Sequence, residues 1–303
     1  MNVLFFILSF SRSGSTLLAN LLNNHSNINV SNETWVFPTV SILGWEELNY
    51  NQQRYILHIY NESLKTYKNS IPVSNEICNK DRISFSSFYK KMISHGACVS
   101  GEKNPVNTLY FDYLKKNFKH SKYLFLARHP LAIANSYKNR WHKDQDEDYF
   151  LFRVTSVIKT YFLSYRRYCD DLNIKTFRYE DIVKNPAVSL NSLCDHLGIA
   201  YDEKMLSSID AFMFHDNILE CHKDLFKDVH VKNVDKYKLQ LSDQEIQSLS
   251  YLLRDVIAFF GYSNSKIKPS RLLLSIEKKV DKRLRYNRSL IRVHFRKLKY
   301  YLF

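Results

Sequence analysis

The chain has 303 residues, 45% of them hydrophobic and 15% aromatic, which is ample for a packed core and excludes disorder as the expected state. Its net charge of +14 is uneven: residues 266–303 carry 13 Lys/Arg against Glu277 and Asp281, so the body is nearly neutral and the tail strongly basic. Five cysteines (Cys78, Cys98, Cys169, Cys194, Cys221) include no CxxC pair and are odd in number, which favours free thiols in a reducing compartment over a disulfide framework.

The N-terminal run MNVLFFILSF is too short to span a membrane and lacks a basic flank or a cleavage site. Val3 to Ser9 therefore predicts a strand buried on both faces, and a cytoplasmic protein is expected. Sequons at Asn32, Asn61 and Asn287 weigh little against this in so asparagine-rich a chain. Ser15 to Asn24 follows with the helical spacing of Leu17, Leu18, Leu21 and Leu22. A short second strand comes next, then an insertion that reads as mostly helical over 41–70. Ala97 to Ser100 predicts a strand, Thr108 to Phe118 a helix, YLFLA at 123–127 a strand and Leu131 to Asn139 a helix. Residues 148–169 predict a long aromatic-rich helix, Ile174 to Phe177 a strand, and Ala187 to Leu197 a helix closed by Gly198. A last helical pattern runs from Asp243 to Phe260 and stops at Gly261. Strands alternating with helices predict an α/β fold with a parallel sheet covered on both sides.

The tail keeps apolar or semi-apolar residues in a three-four rhythm at Leu273, Ile276, Val280, Leu284, Ile291, Leu298 and Tyr301, with Lys and Arg on its other faces. Three readings fit: a basic amphipathic helix on an anionic membrane surface, a partner helix, or a helix folded back on its own domain. The charge alone would also suit nucleic acid, but no reading-head motif accompanies it and no nucleic acid is expected.

A strand followed by Ser11-Arg-Ser-Gly-Ser-Thr16 and a helix points free backbone N–H groups at an anion, with the helix dipole adding to the attraction. Gly14 permits close backbone approach, and Ser15 and Thr16 offer hydroxyls. An ordinary capped strand-to-helix turn would look similar. A triphosphate loop would read GxxxxGK[ST]; here the lysine is missing and Arg12 stands two residues before the glycine. After YLFLA come Arg128-His129-Pro130, then Ser136 and Arg140, four apart and so on one helix face. Arginines and a serine at a strand's carboxyl end suit a terminal phosphate, and arginines on a solvated face would show the same spacing. Thr176-Phe-Arg-Tyr-Glu-Asp-Ile182 lies at another strand end, where Tyr179 serves either a base or the core. His25 reads as packing, and the acidic run 144–148 as a solvated helix start, with cation binding as the alternative.

Taken together, these stretches resemble the sulfotransferases that use 3′-phosphoadenosine 5′-phosphosulfate (PAPS). RSGSTLL resembles their 5′-phosphosulfate loop, ARHPLAIANSYKNRW their 3′-phosphate motif and FRYEDIVKNP their RYEDL-type strand. VKNVDKYK at 231–238, followed by LSDQE, resembles their closing segment. The resemblance covers about residues 3–262, and four motifs in one order are far more specific than any one. Tyrosylprotein sulfotransferases and their bacterial relatives are nearest in pattern. In that group a glutamate lies 21 residues after the loop arginine, which falls here on Glu33, and Glu102-Lys103-Asn104-Pro105 resembles the turn that carries a catalytic lysine. The chain departs from that group at Trp35, where an arginine is usual, and at Asp235 and Tyr237 of the closing segment.

The resemblance implies a P-loop-like three-layer αβα domain over 1–265, with a helical insertion at about 41–95, and a helical tail over 266–303. It implies PAPS as donor and adenosine 3′,5′-bisphosphate as product, with no metal. Glu33, Lys103 and Arg12 are the expected catalytic residues, Glu33 as a base whose pKa burial would raise. Arg12, Ser13, Gly14, Ser15, Thr16, Arg128, Ser136, Arg140, Tyr179, Lys236 and Tyr237 are expected to hold the nucleotide. Trp35, Trp141 and His142 are acceptor-side candidates. The acceptor hydroxyl is expected on a glycan or glycolipid, with a peptide tyrosine as the alternative. A P-loop nucleotide kinase and a non-enzymatic membrane or polyanion binder are the competing classes. The tail would place the enzyme on the inner membrane face, and a homodimer is left open.

Overall fold

Val3–Ser9 (β1) is apolar along its whole length because it is the central strand of the sheet, with Phe5, Phe6, Ile7 and Leu8 fully buried. The computed structural model describes residues 3–45, 48–64, 73–74, 84–94, 99–142, 145–207, 233–264 and 267–286. These divide between two compact units, one formed by Met1–Ser9, Gly14–Leu126 and Asp170–His230, the other by Phe10–Ser13, Ala127–Cys169 and Val231–Phe303.

The first unit holds the sheet, in the order β2-β3-β1-β4-β5. Its strands are β1, Ile28–Asn32 (β2), Val99–Lys103 (β3), Lys122–Ala127 (β4, whose last residue clusters with the second unit) and Ile174–Arg178 (β5). β1 pairs in parallel with β3 and β4, and β2 with β3. Helices Ser15–Asn23 (α1), Val36–Leu43 (α2), Tyr50–Leu64 (α3) and Phe85–Ile93 (α4) follow the first strands, then Phe111–Asn117 (α5), Tyr179–Lys184 (α8) and Pro186–Leu197 (α9). An aromatic core forms on one sheet face, where Phe6 meets Phe37, Tyr89, Phe118 and Tyr123 at centroid distances of 5.3–6.0 Å. His25 packs as expected: its Nε2 lies 3.0 Å from the Ala200 carbonyl, and its Nδ1 accepts from Asn27 N–H.

The second unit is helical: Pro130–Trp141 (α6), Glu147–Arg166 (α7), Tyr237–Gln240 (α10), Asp243–Leu252 (α11), Arg254–Phe259 (α12) and Arg271–Tyr286 (α13). Asp146 caps α7 by accepting from Tyr149 N–H, which accounts for part of the acidic run without a cation. Ser242 and Glu245 form a reciprocal capping box at the start of α11. Over 271–286 the tail is a helix folded back on its own unit. Leu273, Ile276 and Val280 are buried, α13 packs against α7 and α11, and Glu277 accepts from Arg254 (2.7 Å) and Tyr251 (2.8 Å). Ile291, Leu298 and Tyr301 lie outside the described residues.

Three predicted elements differ from the structure. The strand expected at 97–100 runs over Val99–Lys103, so Glu102 and Lys103 are strand residues and not part of a turn. The helix expected from Thr108 begins earlier as a 3₁₀ turn, Pro105–Tyr110, because Pro105 and the Asn104 side chain (accepting from Val106 N–H, 3.0 Å) start it there. The helix expected at 243–260 breaks at Leu253, whose N–H reaches back to the Leu249 and Tyr251 carbonyls.

Gly101 is required by the sheet itself. A Cβ there would sit 2.4–2.7 Å from three ring atoms of Phe5 on the neighbouring strand. We expect Gly101→Ala to lower unfolding free energy in urea by about 1–3 kcal/mol, the cost of overpacking a filled core. Phe5→Leu in the same chain should recover part of that loss, and a purely additive double variant would refute the ring contact as its cause.

Candidate active site

In the first unit, β1 leads to α1 through Gly14, which holds φ +91° and caps the helix without a side chain. No acidic residue lies in the first turn of α1, so the helix start keeps its anion-attracting N–H groups. Gly14 is doubly demanded, since a Cβ would also meet the Tyr179 ring at 2.5 Å. Tyr179 is correspondingly buried, and its ring covers the loop glycine.

The carboxyl ends of β2 and β3 stand in register, Asn32 opposite Lys103. Glu33 comes next, donates its N–H to the Lys103 carbonyl (2.7 Å) and turns back with φ +48°. That turn brings the Glu33 carboxylate to 2.7 Å from Lys103 Nζ, which also reaches Thr16 Oγ1 at 3.3 Å. Lys103 is 1% exposed and Glu33 47%. The expected burial of Glu33 is therefore not found: at the strand end it faces outward, and the buried member of the pair is the lysine. Trp35, 37% exposed, also has positive φ (+58°) and starts α2. Arg12, Glu33 and Trp35 are the non-glycine residues with positive φ among the described residues. Each such conformation costs about 1–2 kcal/mol, and such outliers concentrate at functional sites.

Sequence reasoning missed the residues beneath this corner. Glu102 is fully buried and accepts from Thr34 N–H (3.2 Å), the Thr34 hydroxyl, the Tyr89 hydroxyl and Asn107 Nδ2 (2.9 Å). Burial pushes its pKa up, against those four donors, and raises the Tyr89 phenol too. Glu102 stands first in the Glu102-Lys103-Asn104-Pro105 stretch that was singled out for its lysine, and that stretch was the available signal.

In the second unit, Arg12 holds φ +69°, donates Nε–H to Ser136 Oγ (3.0 Å) and sets its guanidinium 5.8 Å from the Trp141 ring centroid. Arg128 donates to the Arg12 carbonyl (3.2 Å) and to Asn233 O (3.1 Å), so it braces the loop and the closing segment. The buried Ser13 hydroxyl donates to Phe10 O (2.7 Å), so it is engaged within the loop. Tyr237 stacks on His129 at 4.9 Å and is buried. Arg140 and Lys236 are exposed, and His142 bonds Gln145 (2.6 Å). Arg12, Ser136, Arg128 and Trp141 thus meet in this unit; Gly14 and Tyr179, and Thr16, Lys103 and Glu33, meet in the other.

A parallel sheet with helices between its strands, and in the same unit a helix start without acidic residues whose Thr16 meets a buried lysine, define the chain as an α/β protein. The model of the family described as "Sulfotransferase family" matches residues 5–203, and the chain belongs to that family. It is 25% identical over 254 residues to Protein-tyrosine sulfotransferase A of Caenorhabditis elegans, covering 81% of this chain and 58% of that protein. Over 136 residues it is 25% identical to Nodulation protein NoeE of Sinorhizobium fredii (strain NBRC 101917 / NGR234), covering 45% of this chain and 31% of that protein. The chain so spans less than two-thirds of either relative. Its fold is similar to that of the sulfotransferase domain from the Synechococcus PCC 7002 olefin synthase (TM-score 0.60, 21% identity, 87% of this chain and 95% of that one). The family and the α/β fold expected from the four motifs are borne out.

Gly14→Ala should weaken binding of adenosine 3′,5′-bisphosphate by about tenfold or more in calorimetry, since strain at positive φ acts on the loop. Tyr179→Ala added to it relieves the ring contact but not the backbone, so only partial recovery is expected. Full recovery would show that the ring alone made the glycine necessary.

Proposed function

We propose that the chain is a sulfotransferase that moves a sulfuryl group from PAPS to an acceptor hydroxyl on a glycan or glycolipid, with Glu33 as the base. The observation that carries this reading is the Lys103–Glu33 pair, a cation and a carboxylate 2.7 Å apart beside the loop threonine. The helix start at Gly14, Ser15 and Thr16, and the cations Arg12, Lys103 and Arg128, suit the phosphate and phosphosulfate groups of such a donor. When bound, the donor supplies the sulfuryl group and a phosphate leaving group.

On this reading Glu33 takes the proton of the acceptor hydroxyl, and its partial exposure lets an acceptor reach it. Lys103, fixed by Thr16, offsets charge at the bridging oxygen of the leaving phosphate. Arg12 and the loop N–H groups hold the 5′ end, Ser136, Arg128 and Arg140 the 3′-phosphate, and Tyr179, Lys236 and Tyr237 assist at the nucleotide. With fixed cations in these roles, the reading asks for no metal. Trp35 supports a sugar acceptor, because an exposed indole two residues from Glu33 in the chain offers an apolar face. Trp141 and His142 are proposed as further acceptor-side residues. A peptide tyrosine is the second reading, supported by the 25% identity to a protein-tyrosine sulfotransferase.

No described helix is long and apolar enough to cross a membrane. The membrane-surface reading rests on the outer face of α13, where Arg271, Lys278, Lys279, Lys282 and Arg285 are exposed. We keep it as a proposal for an enzyme on the inner face of the membrane.

Thermal shift separates the classes: adenosine 3′,5′-bisphosphate should raise the melting temperature and ATP with magnesium should not. The reverse pattern would favour a nucleotide kinase. Glu33→Gln should cut transfer of ³⁵S-sulfate from labelled PAPS into a total glycan and lipid extract by about 10²–10⁴-fold while donor binding stays intact. Unchanged transfer would remove Glu33 as base, and label found on protein tyrosine would select the second reading.

A further inference from the structure

The proposed base stands on an unusual piece of chain. Glu33 and Trp35 both hold left-handed backbone, at φ +48° and +58°, and the residue between them points inward. Thr34 is fully buried and delivers both its N–H and its hydroxyl to one oxygen of Glu102. Its Oγ1 in turn receives Val36 N–H at 3.4 Å, in the first turn of α2. The second oxygen of Glu102 is held by Tyr89 from α4 and Asn107 from the 3₁₀ turn. Glu102 is therefore anchored from two elements on one side and grips the 33–35 corner on the other.

Strand alternation explains why this matters for Lys103. Consecutive residues of β3 point to opposite sheet faces. Lys103 goes toward Thr16 and Glu33, and Glu102 goes toward Tyr89 and Thr34. The two strand residues make two parallel ties to the same corner, one exposed at its far end and one wholly buried. Two left-handed non-glycine residues in three persist only where the surroundings over-determine them.

We propose that Glu102 is a positioning residue for transfer: through Thr34 it locks the left-handed corner 33–35, and so fixes where the Glu33 carboxylate and the Trp35 indole stand. Glu102 touches neither donor nor acceptor, and its effect passes wholly through Thr34. This rests on the reading of Glu33 as the base. Its role is that of an acceptor: two donors meet each oxygen, Thr34 N–H and hydroxyl on one, Tyr89 hydroxyl and Asn107 Nδ2 on the other.

The sharpest test is a pair at Thr34. Thr34→Val removes the hydroxyl and keeps the shape, while Thr34→Ser keeps the hydroxyl. Turnover is read as release of adenosine 3′,5′-bisphosphate from labelled PAPS in the presence of the total glycan and lipid extract. Order at the corner is read separately from acrylamide quenching of Trp35, in a chain carrying Trp45→Phe and Trp141→Phe so that Trp35 is its lone indole. We expect Thr34→Val to lower turnover at saturating donor by about tenfold or more, the usual cost of a misplaced catalytic group. Donor affinity should stay at the parent value and Trp35 quenching should rise. Thr34→Ser should behave as the parent in all three. Glu102→Met should reproduce Thr34→Val, and where it fails to fold the threonine pair decides. Parent-like turnover and quenching in Thr34→Val overturn the proposal. So does a loss of turnover matched by an equal loss of donor affinity with quenching unchanged, because that is a merely structural effect. If Glu33→Gln keeps its turnover, the base reading fails alone, and the quenching measurement still shows whether Glu102 holds the corner.

Discussion

A lysine buried at the end of a parallel strand needs an anion within reach, and much of the first unit is arranged around that requirement. Lys103 is 1% exposed, so its ammonium has given up nearly all its water. The Glu33 carboxylate at 2.7 Å and the Thr16 hydroxyl at 3.3 Å replace part of that hydration. Neither partner is free to move far. Thr16 is fixed by α1, and Glu33 by its N–H bond to the Lys103 carbonyl itself. The pair is thus closed through backbone and side chain at once, which makes the distance between carboxylate and ammonium a property of the sheet register.

The same register has a cost in backbone conformation. To return its side chain toward β3, Glu33 must leave the extended strand at positive φ, and Trp35 must do so again to start α2. Left-handed backbone in two large residues is unfavourable locally, so the energy that maintains it comes from elsewhere. The buried carboxylate of Glu102, with four donors and no exposure, is the nearest source. Leaving a polar group this deeply buried without its hydrogen-bond partners is costly, which is why it holds the corner tightly.

Much of the sheet was legible in advance where strands are apolar runs. VLFFILS and YLFLA declare themselves because buried parallel strands lack polar alternation. β3 was expected only over 97–100, since its later part, GEK, has a glycine and two charged residues and owes its strand conformation to β1 and β2 on either side. Pairing between distant segments leaves no local signal. The tail showed the opposite difficulty: its apolar rhythm was plain, but Leu273, Ile276 and Val280 suit a lipid surface and a neighbouring helix equally. Only the positions of α7 and α11 decide which face is filled over 271–286. At the candidate site, Glu33 was singled out by a spacing and Lys103 by a motif taken from the resemblance, whereas Thr34 and Glu102 lie beside them in sequence and no role was read for either. Hydrogen-bond partnership between residues 68 apart cannot be read from spacing.

The corner also bears on how an enzyme of this kind could change its acceptor without losing its base. Thr34 faces inward while Glu33 and Trp35 face solvent, so inward anchoring and outward function are separated by single residues. A side chain at 35 projects from a left-handed backbone that lies between buried Thr34 and the start of α2. Exchange at that position therefore alters what an acceptor meets and leaves the neighbouring carboxylate on its tie to Lys103. On the proposed reading, position 35 is where acceptor preference can drift while positions 33, 34, 102 and 103 stay bound to one another by burial and charge. An indole at that position, where the resembled group has an arginine, exchanges a cation for an apolar face, and on the proposed reading that is the face an acceptor would meet.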